Sequence, residues 1–359
     1  MENEFIPKIG ITIGDVNGIG PEVLLKALAT GRVNKICIPI IYGSGKHLSK
    51  YKHFVDQAQW QYTGINDPKT ALQKNSNLIN CLKGEYFEME LGTSDKKAGE
   101  LAFNSLEKAV ADLKEGLIDA LVTAPISKDN IQSENFKFPG HTEYLAAAYD
   151  KKDVLMFMIS EGLRVGVVTG HIPLEEVKSK LSKEIITSKL NIMIESLKID
   201  FGIKKPKIAV LGLNPHAGEN GLLGKEEKEI IEPVLEKFKN KGELVFGPFP
   251  TDGFFANGQF KNYDGILAMY HDQGLTPFKL LAFETGVNFT AGLMGIRTSP
   301  DHGTGYNIAG KNEADPTSML HAIYAAVDIS KTRNEYIELE KNSIKHQKID
   351  IDSLRKEKH

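Results

Sequence analysis

The sequence predicts an α/β protein built as two α/β/α domains with a cleft between them. Three observations carry this expectation. The chain has 359 residues, more than one small core organises and enough for one large or two medium domains. Apolar runs of strand length alternate with amphipathic stretches of helix length along most of it, which is the pattern of βαβ units. Hydrophobic residues make up 41% and charged residues 25%, close to the globular average, so a sizeable core can be buried.

Taken in order, Ile9 to Ile13 reads as a strand, Glu22 to Thr30 as a helix stopped by Gly31, and Ile36 to Tyr42 as a second strand. Residues 57–96 mix polarity without a clear period and read as a variable connection carrying one short strand. Lys97 to Glu115 reads as a helix with Leu101, Leu106, Val110 and Leu113 on one face, stopped by Gly116 and followed by a strand from Leu117 to Val122. A helix near Glu143 to Tyr149, strands at Val154 to Ile159 and Val165 to Val168, and helices within Leu174 to Leu181 and Lys183 to Leu197 make the middle densely α/β. Then come a strand at Ile208 to Leu213, the Gly-rich NPHAGENGLLG, a charged helix from Lys225 to about Lys239, and a strand at Gly265 to Met269. Thr298 to Pro316 is too polar for core, a helix follows Thr317, and from Ser330 onward Lys and Glu dominate, as in a solvated helix or frayed end.

Composition removes several function classes. The balance of 44 Lys+Arg against 47 Asp+Glu gives a net charge of −3, too little positive field for nucleic acid or an anionic membrane surface. No apolar run approaches the roughly 18 residues of a membrane span, and MENEFIPKIG has neither the basic nor the apolar region of a signal peptide. These features predict a cytoplasmic protein without membrane or nucleic-acid partners. Cys37 and Cys81 are the two cysteines, too few for a disulfide scaffold or a cysteine-rich zinc site, so a metal would use His or carboxylates.

Three of the ten histidines share a context. His171 follows VGVVTG, His216 follows IAVLGLNP, and His271 follows ILAMY, each just past a predicted strand, where open α/β sheets bind ligands. Three neutral imidazoles from separate strand ends can hold one divalent ion and leave positions for substrate oxygens. A lone loop histidine is more often a hydrogen-bonded structural residue, so the repetition is what carries the reading. His47, His53, His346 and His359 stand in polar, helix-like or terminal settings and take no role. In KLLAFETGVNFTAGLMGIRTS, Lys279, Asn288 and Arg297 come soon after His271; two cations with an amide suit a small anionic substrate. GDVNGIG lacks the GxGxxG spacing and GSGK lacks the rest of a Walker loop, so neither Rossmann nor P-loop binding is supported.

GITIGDVNGIGPEV, TAPISK, PGHTEYLA, TGHIPL, LNPHAGENGLLGKEE, YHDQGLTPFK, GVNFTAGLMGIRTSPDHGTGYNIAGK and ADPTSM follow one another from Ile9 to Met319. This series resembles the 4-hydroxythreonine-4-phosphate dehydrogenase family of pyridoxal phosphate biosynthesis. The resemblance implies the isocitrate and isopropylmalate dehydrogenase-like fold, with residues 1–130 and 295–359 as the cofactor-side domain and 131–294 as the metal, substrate and dimer side. It implies a homodimer whose active site is shared between subunits. His171, His216 and His271 would be ligands of one divalent ion (Zn, Mg or Co), and His141, Thr142, Lys279, Asn288 and Arg297 would contact a phosphorylated four-carbon substrate. His302, Gly303, Asn307 and Asp315, in a segment similar to the adenosine-binding loop of the isopropylmalate dehydrogenase group, would bind NAD or NADP. The implied reaction oxidises the secondary hydroxyl to a 3-oxo acid, which loses carbon dioxide to give 3-amino-1-hydroxyacetone phosphate. Asp272 and Lys279 are both candidates for accepting the hydroxyl proton. One departure stands out: the family usually reads GDPAGIGPE, and here Val16 and Asn17 replace Pro and Ala. Three rivals remain: a related dehydrogenase of threonate or erythronate 4-phosphate; a cofactor-independent metal hydrolase or aldolase, which would have no use for HGTGYNIAGK; and a non-catalytic phosphometabolite sensor, for which the sequence offers no output module.

Overall fold

The computed structural model describes residues 5–342. Its elements, numbered in chain order, are β1 (Lys8–Thr12), α1 (Gly20–Ala29), α2 (Val33–Ile36), β2 (Ile38–Gly43), α3 (Gly45–Tyr51), β3 (Thr63–Ile65), β4 (Asn77–Asn80), α4 (Lys96–Lys114), β5 (Ala120–Thr123), α5 (His141–Ala148), β6 (Leu155–Ser160) and β7 (Leu163–Thr169). They continue with α6 (Leu174–Lys180), α7 (Lys183–Ile199), β8 (Lys207–Leu211), α8 (Glu232–Asn240), β9 (Leu244–Phe249), α9 (Thr251–Ala256), β10 (Gly265–Tyr270), α10 (His271–Ala282), β11 (Val287–Ala291), β12 (Ile296–Pro300) and α11 (Thr317–Asn342). The twelve strands form one sheet in the order β3-β4-β2-β1-β5-β12-β11-β6-β7-β10-β8-β9. Two parallel blocks lie at its sides, and antiparallel pairings of β12 with β11, β11 with β6 and β6 with β7 join them.

Local chemistry accounts for the element ends. α1 carries Pro21 in its first turn and stops before Gly31, whose φ of 66° suits a residue without a Cβ. The Asp95 carboxylate caps α4 by accepting from the Lys97 and Ala98 amides at 2.9 and 3.1 Å. In the second block alternate residues face opposite layers. Ile208, Val210, Leu267 and Met269 join the large core, while Ala209, Leu211, Ile266 and Ala268 join a smaller one with Phe254, Leu275 and Phe278 of α9 and α10. Helices on both faces of the sheet are what this two-sided apolar pattern requires.

Several expectations change. The 57–96 connection contains two short strands, β3 and β4, where one was expected, and GSGK opens α3, with Ser44 as its N-cap. The charged helix after Lys225 begins as a π turn, Glu227–Ile231, before α8. β9, α10, β11 and β12 went unread in the sequence; each is five to twelve residues long, and the short strands are stabilised by cross-strand partners that no local window contains. His47, left without a role, is fully buried, its ring bonded to Ser44 Oγ and the Phe87 carbonyl. α11 extends the Lys- and Glu-rich stretch as helix to Asn342; the rest of that stretch, with His346 and His359, lies outside the described residues.

The GDVNGIGPE loop docks the polar loop after β12. Asp15, fully buried, accepts from the Asn17 amide at 2.9 Å, from Asn130 Nδ2 at 2.7 Å and from the Tyr306 hydroxyl at 2.6 Å. Glu22 accepts from the Ala314 amide and from Lys26 Nζ, both at 2.8 Å, and the Ile19 amide donates to the Thr304 carbonyl at 2.8 Å. A Cβ on Gly18 would stand 2.6 Å from the Thr304 oxygen, so only glycine permits the approach. The departure at Asn17 has its own partners: its side-chain oxygen accepts from the Glu90 amide at 3.0 Å and its carbonyl from the Gly92 amide at 2.8 Å, tying the loop to the 57–96 connection. Asp15→Ala should therefore lower unfolding stability by about 1–3 kcal/mol, the cost of orphaning buried donors, read from the urea midpoint. An unchanged midpoint would show that the two loops hold together without this carboxylate.

Candidate active site

The cleft follows from strand register. Asn288 of β11 lies opposite Met158 of β6 on one side and Ser299 of β12 on the other, so these side chains share a face, and Met156 and Arg297, two residues along, share it too. Around that face the chain adds Thr123 to Lys128 beyond β5, Pro139 to Glu143 at the start of α5, Pro300 to Gly303 beyond β12, His171 beyond β7, and His271, Leu275 and Lys279 of α10. The enclosed space is about 400 Å³.

Arg297 lies at the floor and is 3% exposed. Its Nε and Nη2 donate to Thr123 Oγ1 at 3.0 and 2.7 Å, and Nη1 donates to Thr290 Oγ1 at 3.3 Å. Burial pushes the guanidinium down to about 10; Glu143 opposes this through space without bonding to it. His141 is held well below the ordinary histidine value, first by burial and then by Arg297 and Lys128, so its ring is neutral at pH 7. Its Nε2, the side-chain oxygen of Asn288 and Nε2 of His302 are all buried without a protein partner. Buried polar atoms are normally paired; the Asn288 oxygen, and His302 Nε2 while Nδ1 donates to the Gly303 carbonyl at 3.2 Å, are acceptors that call for a donor, whereas the buried guanidinium in the same cleft calls for an anion.

Lys279 Nζ lies 3.1 Å from the Asp301 carboxylate, whose own value is raised by burial and lowered again by Lys279. His171 and His271 face each other at the rim, ring centroids 5.5 Å apart. The packing around His171 holds it below its ordinary value, assisted by Lys128 and His271, which keeps a nitrogen lone pair available. His271 Nδ1 bonds to the Asp272 carboxylate at 2.7 Å, which leaves Nε2 as the free coordinating atom.

The structure thus brings together His141, Thr142, His171, His271, Lys279, Asn288, Arg297, His302 and Gly303. Four candidates stand apart. Asp272 faces an adjoining pocket with His171, Tyr270 and Leu174 and does not line the cleft. His216 is exposed in a left-handed turn after β8, and among the described residues no three metal-binding side chains gather in one place. One chain therefore aligns two of the three histidines, because the His216 turn does not border the cleft of its own chain. Asn307 is exposed in a short turn, and Asp315, also exposed, accepts from the Thr317 amide at 2.7 Å, capping the start of α11.

Residues not singled out in the sequence complete the site. Thr123 and Lys128 lie in TAPISK, Glu143 in PGHTEYLA and Asp301 just after β12, so motif position alone contained a signal for them. Thr290 had none, because its contact with Arg297 exists only through the antiparallel pairing of β11 with β12.

Comparison with known proteins matches the chain to a family. The family model "Pyridoxal phosphate biosynthetic protein PdxA" matches residues 35–326. A 4-hydroxythreonine-4-phosphate dehydrogenase from Bacteroides thetaiotaomicron is 47% identical over 327 residues, covering 91% of this chain and 89% of that one. A D-threonate 4-phosphate dehydrogenase from Cupriavidus necator is 40% identical, covering 92% of this chain and 99% of that one. The crystal structure of 4-hydroxythreonine-4-phosphate dehydrogenase from Klebsiella pneumoniae superimposes with a TM-score of 0.82 at 35% identity, covering 92% of this chain and all of the other. With the mixed α/β sheet, the ordered motifs and these matches in agreement, the chain belongs to the PdxA family of pyridoxal phosphate biosynthetic proteins.

Proposed function

We propose that the protein is a metal-dependent, NAD- or NADP-linked dehydrogenase that oxidises the secondary hydroxyl of 4-hydroxythreonine 4-phosphate, in pyridoxal phosphate biosynthesis. The 3-oxo acid formed loses carbon dioxide to give 3-amino-1-hydroxyacetone phosphate. The observation that carries this reading is the buried Arg297, held by neutral threonines and surrounded by the unpaired polar atoms of His141, Asn288 and His302. A phosphorylated, carboxylated hydroxyamino acid supplies anionic oxygens for the guanidinium and O–H and N–H donors for the unpaired acceptors. Of the two relatives quoted above, the one at 47% identity acts, by name, on the amino-acid phosphate and the one at 40% on the sugar-acid phosphate.

Arg297, with Lys279 and Asn288, holds the anionic ends of the substrate, and neutral His141 with Thr142 completes the contacts from α5. When bound, a divalent ion acidifies the substrate hydroxyl and the nicotinamide takes the hydride. His171 and His271 fit such an ion: one imidazole is held neutral and the other has its Nδ1 engaged by Asp272. Of the two candidates for the hydroxyl proton, Lys279 borders the cleft, whereas Asp272 serves to orient His271. His302 and Gly303 at the cleft edge border the nicotinamide side, with Asn307 and Asp315 further along the same loop for the adenosine, and among the described residues those before 131 and after 294 form one domain against 131–294.

His216 completes the ion's ligands from the partner subunit of a homodimer. The turn that carries it ends in exposed Leu222 and Leu223, and α10, which begins at His271, ends in exposed Leu280, Leu281 and Phe283. Exposed apolar surface after the His216 turn and at the far end of the helix that His271 opens is of the kind a subunit interface covers.

Steady-state assays of the purified protein with 4-hydroxythreonine 4-phosphate and D-threonate 4-phosphate, each with NAD and NADP, test the assignment. The amino acid should be preferred in kcat/KM by about tenfold or more, roughly 1.4 kcal/mol; the reverse order would move the protein to the sugar-acid reaction. Arg297→Lys keeps charge but loses the planar fork, so kcat/KM should fall by about ten- to a hundredfold, and near-normal kinetics would demote Arg297 to a structural cation. Finally, His216→Ala and His271→Ala should each be inactive alone, yet subunit exchange between them should restore part of the activity, since one site of the heterodimer is then intact. No recovery despite verified heterodimers would place both ligands on one chain.

A further inference from the structure

The turn carrying His216 is built at a conformational cost. His216, Ala217, Gly218, Glu219 and Asn220 have φ of 51°, 49°, 78°, 39° and 58°, a left-handed run in which four of the five residues carry a Cβ. Left-handed backbone is unfavourable for each L-residue and is normally visited singly. Something outside the run must hold it.

That something is a buried carboxylate. Glu227 is 1% exposed. Its Oε1 accepts from the Leu213 and Asn214 amides, both at 2.8 Å, and its Oε2 accepts from Asn214 Nδ2 at 3.0 Å. Asn214 Nδ2 also donates to Glu226 Oε2 at 2.8 Å, and Glu226 Oε1 pairs with Lys178 at 2.7 Å. The turn closes over Glu227: a Cβ on Gly218 would stand 2.5 Å from Oε2, and one on Gly212 3.2 Å from Oε1. Glu227 itself opens the π turn Glu227–Ile231, a widened helical turn of the kind found at functional positions. The residues gripped are the two preceding Pro215 and His216, and Pro215 has φ restricted by its ring. The Glu227 grip therefore sets the direction in which the strained turn leaves β8.

We propose that Glu227 is a positioning residue for His216: its carboxylate grips the backbone before the turn and packs closely beneath the glycine inside it, and so presents the exposed imidazole outward as a preformed ligand. The inference rests on the reading of His216 as a metal ligand given above. A surface loop needs neither a buried acid nor four strained L-residues; a ligand that must meet its ion at a fixed angle needs both.

The test is cobalt(II) binding to the dimer, followed by its visible absorption, for Glu227→Gln, Glu227→Ala and His216→Ala beside the parent. Glu227→Gln is isosteric but puts an amide donor against donors, and should weaken cobalt affinity about tenfold, within the range for residues that orient a ligand. Glu227→Ala should weaken it further, and thermal melting and sedimentation establish that each variant is folded and dimeric. If Glu227→Ala does not fold, Glu227→Gln decides alone. A lower melting temperature with parental cobalt affinity and spectrum in the folded Glu227 variants would make Glu227 merely structural and overturn the proposal. If His216→Ala itself binds cobalt like the parent, the ligand reading of His216 fails, and the positioning role with it. If His216→Ala loses cobalt while the Glu227 variants keep it, only the positioning role fails.

Discussion

Taking a guanidinium out of water costs several kcal/mol unless its N–H groups find partners, and Arg297 meets that demand with hydroxyls from the strands on either side of β12. Thr123 comes from β5, in the first parallel block, and Thr290 from β11, where the sheet turns antiparallel. The charge is thereby held at the join between the two halves of the sheet, and everything nearby adjusts to it. His141 stays neutral, Glu143 stays at a distance, and Lys279 is matched by Asp301. Neutral oxygens satisfy the geometry of the guanidinium without cancelling its charge, which keeps it able to attract an anion.

The second constraint is the lock between the loop after β1 and the loop after β12. Asp15 and Glu22 are both fully buried, and both direct their oxygens at the polar loop of residues 301–315 or its neighbours. Acidic residues in a Gly-rich turn suggest ligand binding when read alone. Here Asp15 and one oxygen of Glu22 accept from protein donors, which anchors the loop that also carries His302 and Gly303.

The three strand-end histidines follow a different pattern. His171 and His271 are aligned within one chain, while His216 is carried away from them on a turn of unusual handedness. β8 and β10 are neighbours in the sheet, and Gln273 bonds to both the Met269 amide and the Gly212 carbonyl, tying their ends together. The separation of His216 is thus a built feature of the turn, and it accords with a ligand offered to a second copy of the chain.

The mixed α/β class, most helices with their capped or glycine-stopped ends, and the three histidines past strand ends were legible because each depends on residues within about one or two turns of one another. Legible too were the nine residues that meet in the cleft, though as members of motifs and not as a shape. What escaped were β9, β11 and β12, Thr290 as a support of Arg297, the hydrogen bonds that Asp15 and Asp315 make within the protein, and the separation of His216 from the cleft that holds the other two histidines. All of these are set by register, by contacts between residues far apart in sequence or by handedness of the backbone. Periodicity records which residues must be buried and which must be solvated; it does not record which strand becomes the neighbour of which. In this protein that pairing, with Asn288 opposite both Met158 and Ser299, turns scattered motif residues into one cleft.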